Sequence, residues 1–113
     1  MNIELEYLYR DSGNFKNYGS IVLANKNNLA AEKVDRVLVE LLGEDRAFIA
    51  SRLEVPERFF ADFPYDPDLD WDMHEYYQAS DTNLPVNDVQ GRDIGDFLLQ
   101  VGSMQKSAGY AGG

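Results

Sequence analysis

The sequence predicts an α+β domain, a small and mostly antiparallel sheet with two helices packed on one face, in the order ββαββα. Three observations carry that expectation. Ile3, Leu5, Tyr7 and Tyr9 alternate with Glu4, Glu6, Leu8 and Arg10, the period of a strand with one buried face. Val34, Val37, Leu38, Leu41 and Leu42 recur at helical spacing and form one apolar stripe. Clusters of turn-forming residues separate short apolar runs, which suits helices layered on a small sheet.

In chain order, the first strand runs to Arg10, and Leu8 interrupts its polar phase, so its second face is expected to be partly covered. Residues 10–17 (RDSGNFKN) are dense in turn formers, and Tyr18 to Ala24 read as a second strand, giving a hairpin. The helix over 30–42 begins near Ala30, a poor cap, so Asn27 or Asn28 competes for that role. Leu29 and Val34 are spaced as a hydrophobic staple, and Gly43 suits a positive-φ stop. Phe48 and Ile49 mark a short buried strand within 46–50. Pro56, Pro64 and Pro67 then punctuate a connection carrying Phe59, Phe60, Phe63 and Tyr65. Residues 69–77 predict another strand, in which Leu69, Trp71 and Met73 alternate with Asp70, Asp72 and His74. That alternation slips at Glu75-Tyr76-Tyr77, as at a bulge. A loop over 81–88 leads to a closing helix through Ile94, Phe97, Leu98 and Val101.

With 113 residues the chain is sized for one domain, expected over 1–105, followed by a flexible Gly-rich tail over 106–113. Hydrophobic residues at 44% and aromatics at 12% are too many for a disordered chain. The absence of Cys excludes disulfides, thiolate metal sites, iron–sulfur clusters and cysteine nucleophiles. No run approaches the ~20 apolar residues of a membrane span, and Met1-Asn2-Ile3-Glu4 does not open a signal peptide. A cytoplasmic protein without membrane contact and without a cofactor is therefore expected. A net charge of −10 argues against direct nucleic-acid binding, which uses clustered Lys and Arg. That charge is unevenly placed. Residues 1–60 carry 10 acids and 8 bases, whereas 61–100 carry 10 acids with Arg92 as the single base, a net of −9.

The run Tyr7-Leu8-Tyr9-Arg10-Asp11-Ser12-Gly13-Asn14-Phe15-Lys16-Asn17-Tyr18-Gly19 resembles the opening signature of a family of small uncharacterised bacterial proteins, roughly YLYRD-x-x-NYK-x-WG. Asn27-Asn28-Leu29, Phe48-Ile49-Ala50-Ser51, Val55-Pro56 and the neighbourhood of Trp71, His74 and Glu75 are similar to the later parts of that pattern. Phe15, Tyr18 and Ala30 depart from it, standing where the pattern has Tyr, Trp and a Ser or Thr cap. The resemblance implies the fold boundaries and supplies no chemistry.

Three constellations are candidates for function. The carboxylates Asp66, Asp68, Asp70, Asp72 and Glu75 can offer hard oxygen ligands to a divalent metal, with the imidazole nitrogen of His74 in the same run. An EF-hand starting at Asp66 fails, because its Gly position is Trp71 and its final Glu position is Tyr77. Asp70, Asp72 and His74 would share one strand face, and the plain alternative is a solvated acidic face. His74, the sole His, is expected at the strand surface, where neighbouring carboxylates favour its charged form. Arg10, Asn14 and Lys16 make a small cationic island suited to an anionic ligand. Against this, Asp11, Asn14 and Asn17 are equally suited to bracing the turn, with Arg10 paired to an acid. The aromatics Phe59, Phe60, Phe63, Tyr65, Trp71, Tyr76 and Tyr77 divide between core and a partner-binding surface. No serine lies in a nucleophile-elbow context.

Two classes of function stay open. The first is a non-enzymatic interaction module, of inhibitor, immunity or adaptor type and able to mimic nucleic-acid charge, that docks on a basic partner surface through Asp66, Asp68, Asp70, Asp72, Glu75 and Tyr76. The second is a small metal-binding protein or metal-dependent hydrolase using Asp70, Asp72, His74 and Glu75.

Overall fold

The computed structural model describes residues 1–59 and 73–112, with side chains up to Met104. Four strands, β1 (Asn2–Arg10), β2 (Lys16–Leu23), β3 (Ala47–Phe48) and β4 (His74–Thr82), form one sheet in the order β2-β1-β4-β3, with every adjacent pair antiparallel. Helices α1 (Ala31–Leu42) and α3 (Ile94–Gly112) share one face of that sheet, and a short helix α2 (Ala50–Leu53) follows β3. The α+β class and the ββαββα skeleton are as the sequence predicts, with α2 added. Four residues without a side-chain cap leave no periodic signal, so α2 could not be read from spacing.

The period-2 face of β1 places Ile3, Leu5 and Tyr7 in the core with Ile21 and Leu23 of β2. Val34 and Leu38 of α1, and Ile94, Phe97 and Val101 of α3, close over them. Ala30 is the N-cap of α1, with extended backbone and no side-chain bond, so neither Asn27 nor Asn28 caps the helix. Asn28 instead takes a positive φ of 52°, and the Asn25 amide braces this turn by bonding Leu29 N–H and C=O, both at 2.9 Å. Gly43 stops α1 at φ 83°, its N–H donating to Val39.

Strand β2 begins two residues before the expected Tyr18, and β4 runs past the expected end at Tyr77 as far as Thr82. The expected strand positions 69–72 lie outside the described residues. The slip at Glu75-Tyr76-Tyr77 is a bulge: Glu6 pairs with Gln78 and Tyr7 with Tyr76, which leaves Tyr77 as the extra residue. The α3 backbone continues through the Gly-rich stretch 106–112 that was expected to be a tail. No helix among the described residues is long and apolar enough to cross a membrane.

Candidate functional site

His74 is fully buried, at 0% exposure, which corrects the expected surface position. It pairs with Tyr9 on the inner face of β4, and Tyr7, Tyr9, Phe48 and Phe59 surround its ring at centroid distances of 5.2–6.1 Å. The Arg58 backbone N–H donates to His74 Nε2 at 2.8 Å, so the proton of the neutral ring sits on Nδ1. Burial, with the Arg58 charge as a second cause, lowers the His74 pKa to about 4, opposite to the rise expected from neighbouring carboxylates. Glu75, the next residue, faces outward opposite Leu8 and so does not reach the ring.

The His74 bond is one of three that fasten residues 56–58 across the sheet. Tyr7 Oη donates to the Pro56 carbonyl at 2.6 Å, and Asn17 Nδ2 donates to the Arg58 carbonyl at 3.0 Å. The Arg58 side chain lies directly over Gly19, where any Cβ would collide with its guanidinium. A side chain at position 19 would force the Arg58 side chain to move, and Arg58 is a participant that sequence spacing did not single out. Two buried donors, His74 Nδ1 and Arg58 Nε, have no partner among the described residues.

The opposite face of the sheet carries Glu4, Glu6, Leu8 and Arg10 of β1, with Tyr18 and Ser20 of β2 and Glu75, Gln78 and Ser80 of β4. Helices α1 and α3 both pack on the other side. Tyr18 and Tyr77 belong to strands on either side of β1, yet their rings meet edge-on at 5.6 Å. They therefore bridge over Leu8, which is buried, as its break in the polar phase predicts. Tyr18 at 51%, Tyr77 at 45% and Phe15 at 69% remain exposed. The bulge brings Tyr77 to this side beside Gln78. Glu4 accepts from Ser20 Oγ at 3.0 Å and Glu6 from Gln78 Nε2 at 2.8 Å, so both carboxylates are held at fixed positions on the face. Tyr76, expected among the partner-binding residues, is instead buried at 4% exposure. Its hydroxyl donates to Asp35 Oδ1 at 2.7 Å, and burial followed by the Asp35 carboxylate raises its pKa.

The Arg10, Asn14 and Lys16 island is organised as a braced turn. Arg10 Nε and Nη2 donate to the two Glu75 carboxylate oxygens at 3.1 and 3.0 Å, and Nη1 donates to Asn14 Oδ1. The Glu75 hydrogen bond raises the Arg10 pKa. Asn14 takes a positive φ of 66°, and Asp11 Oδ1 accepts the Phe15 N–H at 2.9 Å. Lys16 is exposed at the start of β2. His74 and Glu75 leave β4 on opposite faces, the first bonded to Arg58 and the second to Arg10, so they do not converge on one metal. Asp66, Asp68, Asp70 and Asp72, and the aromatics Phe60, Phe63, Tyr65 and Trp71, lie outside the described residues.

Part of the acidic half is spent internally. Asp88 and Arg92 form a buried ion pair, Nη2 to Oδ1 at 2.7 Å, and the arginine hydrogen bond holds the Asp88 pKa below the usual carboxylate range. Arg92 also donates to the carbonyls of Leu53 and Glu54 and to Gln100 Oε1, and it lies over the Phe97 ring at 5.0 Å. It thereby ties the end of α2 to α3. Asp93 accepts from Gly95 N–H and Lys26 N–H, both at 2.9 Å, fixing the start of α3 against the loop after β2.

No family model, curated protein or solved structure matches the chain.

Proposed function

We propose that this protein is a non-enzymatic interaction module that docks on a basic surface of another protein. The observation that carries the reading is the outer sheet face, where exposed Tyr18 and Tyr77 meet over β1 beside the carboxylates of Glu4 and Glu6. Tyrosine anchors are enriched among the side chains that dominate binding energy. An aromatic ring beside a fixed carboxylate also suits a guanidinium or ammonium group, through cation–π attraction and charge-assisted hydrogen bonding. The wider field supports the same partner. Glu75, Asp88 and Asp93 have internal partners, Asp81 and Asp96 are exposed, and the sequence of the same half adds Asp62, Asp66, Asp68, Asp70 and Asp72. A one-signed field of this kind steers encounters with an oppositely charged surface. We take the cytoplasm as the compartment where the pair meets.

The test begins with capture from the native host at low salt, followed by affinity measurement on the purified partner. Tyr18→Ala/Tyr77→Ala should weaken binding at least tenfold while the melting temperature stays near wild type. Unchanged affinity in that variant would remove the outer face from the interface.

A further inference from the structure

The two edges of the sheet are treated differently. Along β2, Asn87 and Asp88 N–H groups donate to the Val22 carbonyl, Asn87 Oδ1 accepts the Val22 N–H, and Ala24 exchanges backbone bonds with Arg92 and Ile94. Those bonds cover that edge from Val22 to Ala24. On the other side, β3 is two residues long and pairs only with Glu75 and His74 of β4. The Arg46 carbonyl then takes the Tyr76 N–H, and its guanidinium donates to the Tyr77 carbonyl. Beyond that point no backbone or side-chain bond among the described residues reaches the outer edge of β4 over residues 78–82. Five residues of strand are about 17 Å of unpaired edge, of which every second residue directs both its N–H and its C=O outward. Folded proteins usually blunt or cover such an edge.

A groove of about 390 Å³ runs beside this edge, lined by Gln78 and Ala79 of β4 and by Ala31, Glu32 and Asp35 of α1. Its charged lining residues are both acids, and Asp81 stands exposed near the end of the strand. On the opposite face the same stretch shows Gln78 and Ser80, continuous with Tyr77 of the outer face.

We propose that residues 78–82 of β4 receive an extended segment of the partner as a fifth strand, with alternate Lys or Arg side chains of that segment directed at Glu32, Asp35 and Asp81. Backbone hydrogen bonds supply the attachment and the alternating side chains supply the selectivity, as in other strand-addition complexes. The inference rests on the proposed function for the sign of the partner's charge, and the edge itself is an independent observation. A second copy of this chain would bring another net charge of −10 to an acidic groove, so self-pairing is disfavoured.

The probe is the blocked peptide Lys-Thr-Lys-Val-Lys-Thr-Lys, compared with the same peptide N-methylated at alternate residues, which keeps the charge and removes the strand-pairing N–H groups. The unmethylated peptide should bind saturably and slow hydrogen exchange at amides within residues 78–82. The methylated peptide, and the E32K/D81K variant of the protein, should each lower affinity at least tenfold. Equal binding of the two peptides would overturn strand addition and leave acidic docking standing. Absence of binding at millimolar peptide would overturn the edge as a site, while the Tyr18 and Tyr77 test would still decide the outer face. Concentration-dependent dimerisation that protects the same amides would assign the edge to a second copy and overturn the proposal.

Discussion

Burial of the His74 imidazole stabilises its neutral form, because the Arg58 N–H requires a lone pair on Nε2 and the surrounding rings cannot solvate an imidazolium. The unfolded chain, with the ordinary pKa of 6.5, binds a proton that the folded chain refuses down to about pH 4. Stability from this residue is therefore fully present above pH 6.5 and falls as pH drops from 6.5 toward 4, by about 3 kcal/mol in all. A proton-NMR titration of the ring should give a midpoint near 4, and a midpoint at or above 6.5 would contradict the burial. His74→Gln keeps an acceptor for Arg58 and removes the titration, so urea melts of that variant should lose this share of the acid sensitivity. Spacing alone could not place His74. Its register opposite Tyr9 puts it on the inner face, and the strap 56–58 that bonds it also bonds Tyr7 and Asn17, residues far apart in sequence. The burial of Leu8 was legible, because an apolar residue on a polar phase needs a cover, and Tyr18 and Tyr77 provide it.

Among the elements, α1 carries both a strength and a defect. Val34 and Leu38 of its stripe are core, Leu41 and Leu42 pack partly buried against it while Val37 stays outside the core cluster, and Leu38 at 2% exposure lies between the sheet and α3. Leu38→Ala should cost about 2–5 kcal/mol in a denaturant titration. Its N-terminus lacks a side-chain cap, so Ala30→Asp should stabilise the protein by about 1 kcal/mol in the same assay. The link between α2 and α3 depends on Arg92, which has both a buried carboxylate and two helix-end carbonyls to satisfy. Arg92→Ala leaves Asp88 buried without its cation and should cost about 3–5 kcal/mol by urea melting. Arg92→Lys should recover little, because an ammonium cannot reproduce the planar fork that reaches Asp88, Leu53, Glu54 and Gln100. Long periodic elements such as β1 and α1 were legible in the sequence. The four-residue α2 and the true extent of β4 were not, because they depend on partners supplied from elsewhere in the chain.

For the whole molecule, charge is the property that most needs an explanation. Like charges repel in a compact chain, so a surplus of this size works against folding. The sequence count located the acidic half, and among its described acids the structure separates Glu75, Asp88 and Asp93, which have internal partners, from the exposed Asp81 and Asp96. Glu75 and Asp93 were indistinguishable from the others by composition, because their partners Arg10 and the Lys26 backbone are brought up by tertiary contacts, whereas Asp88 pairs with Arg92 only four residues on. The most direct measurement is the association rate of the captured partner with wild type and with D66K/D68K/D70K/D72K at low and physiological ionic strength. Docking through the acidic field predicts that the four-Lys variant associates at least tenfold more slowly at low salt. It also predicts that wild type slows as salt shortens the Debye length to about 8 Å. A partner that binds both chains equally fast and equally tightly at both ionic strengths would contradict docking through the acidic field.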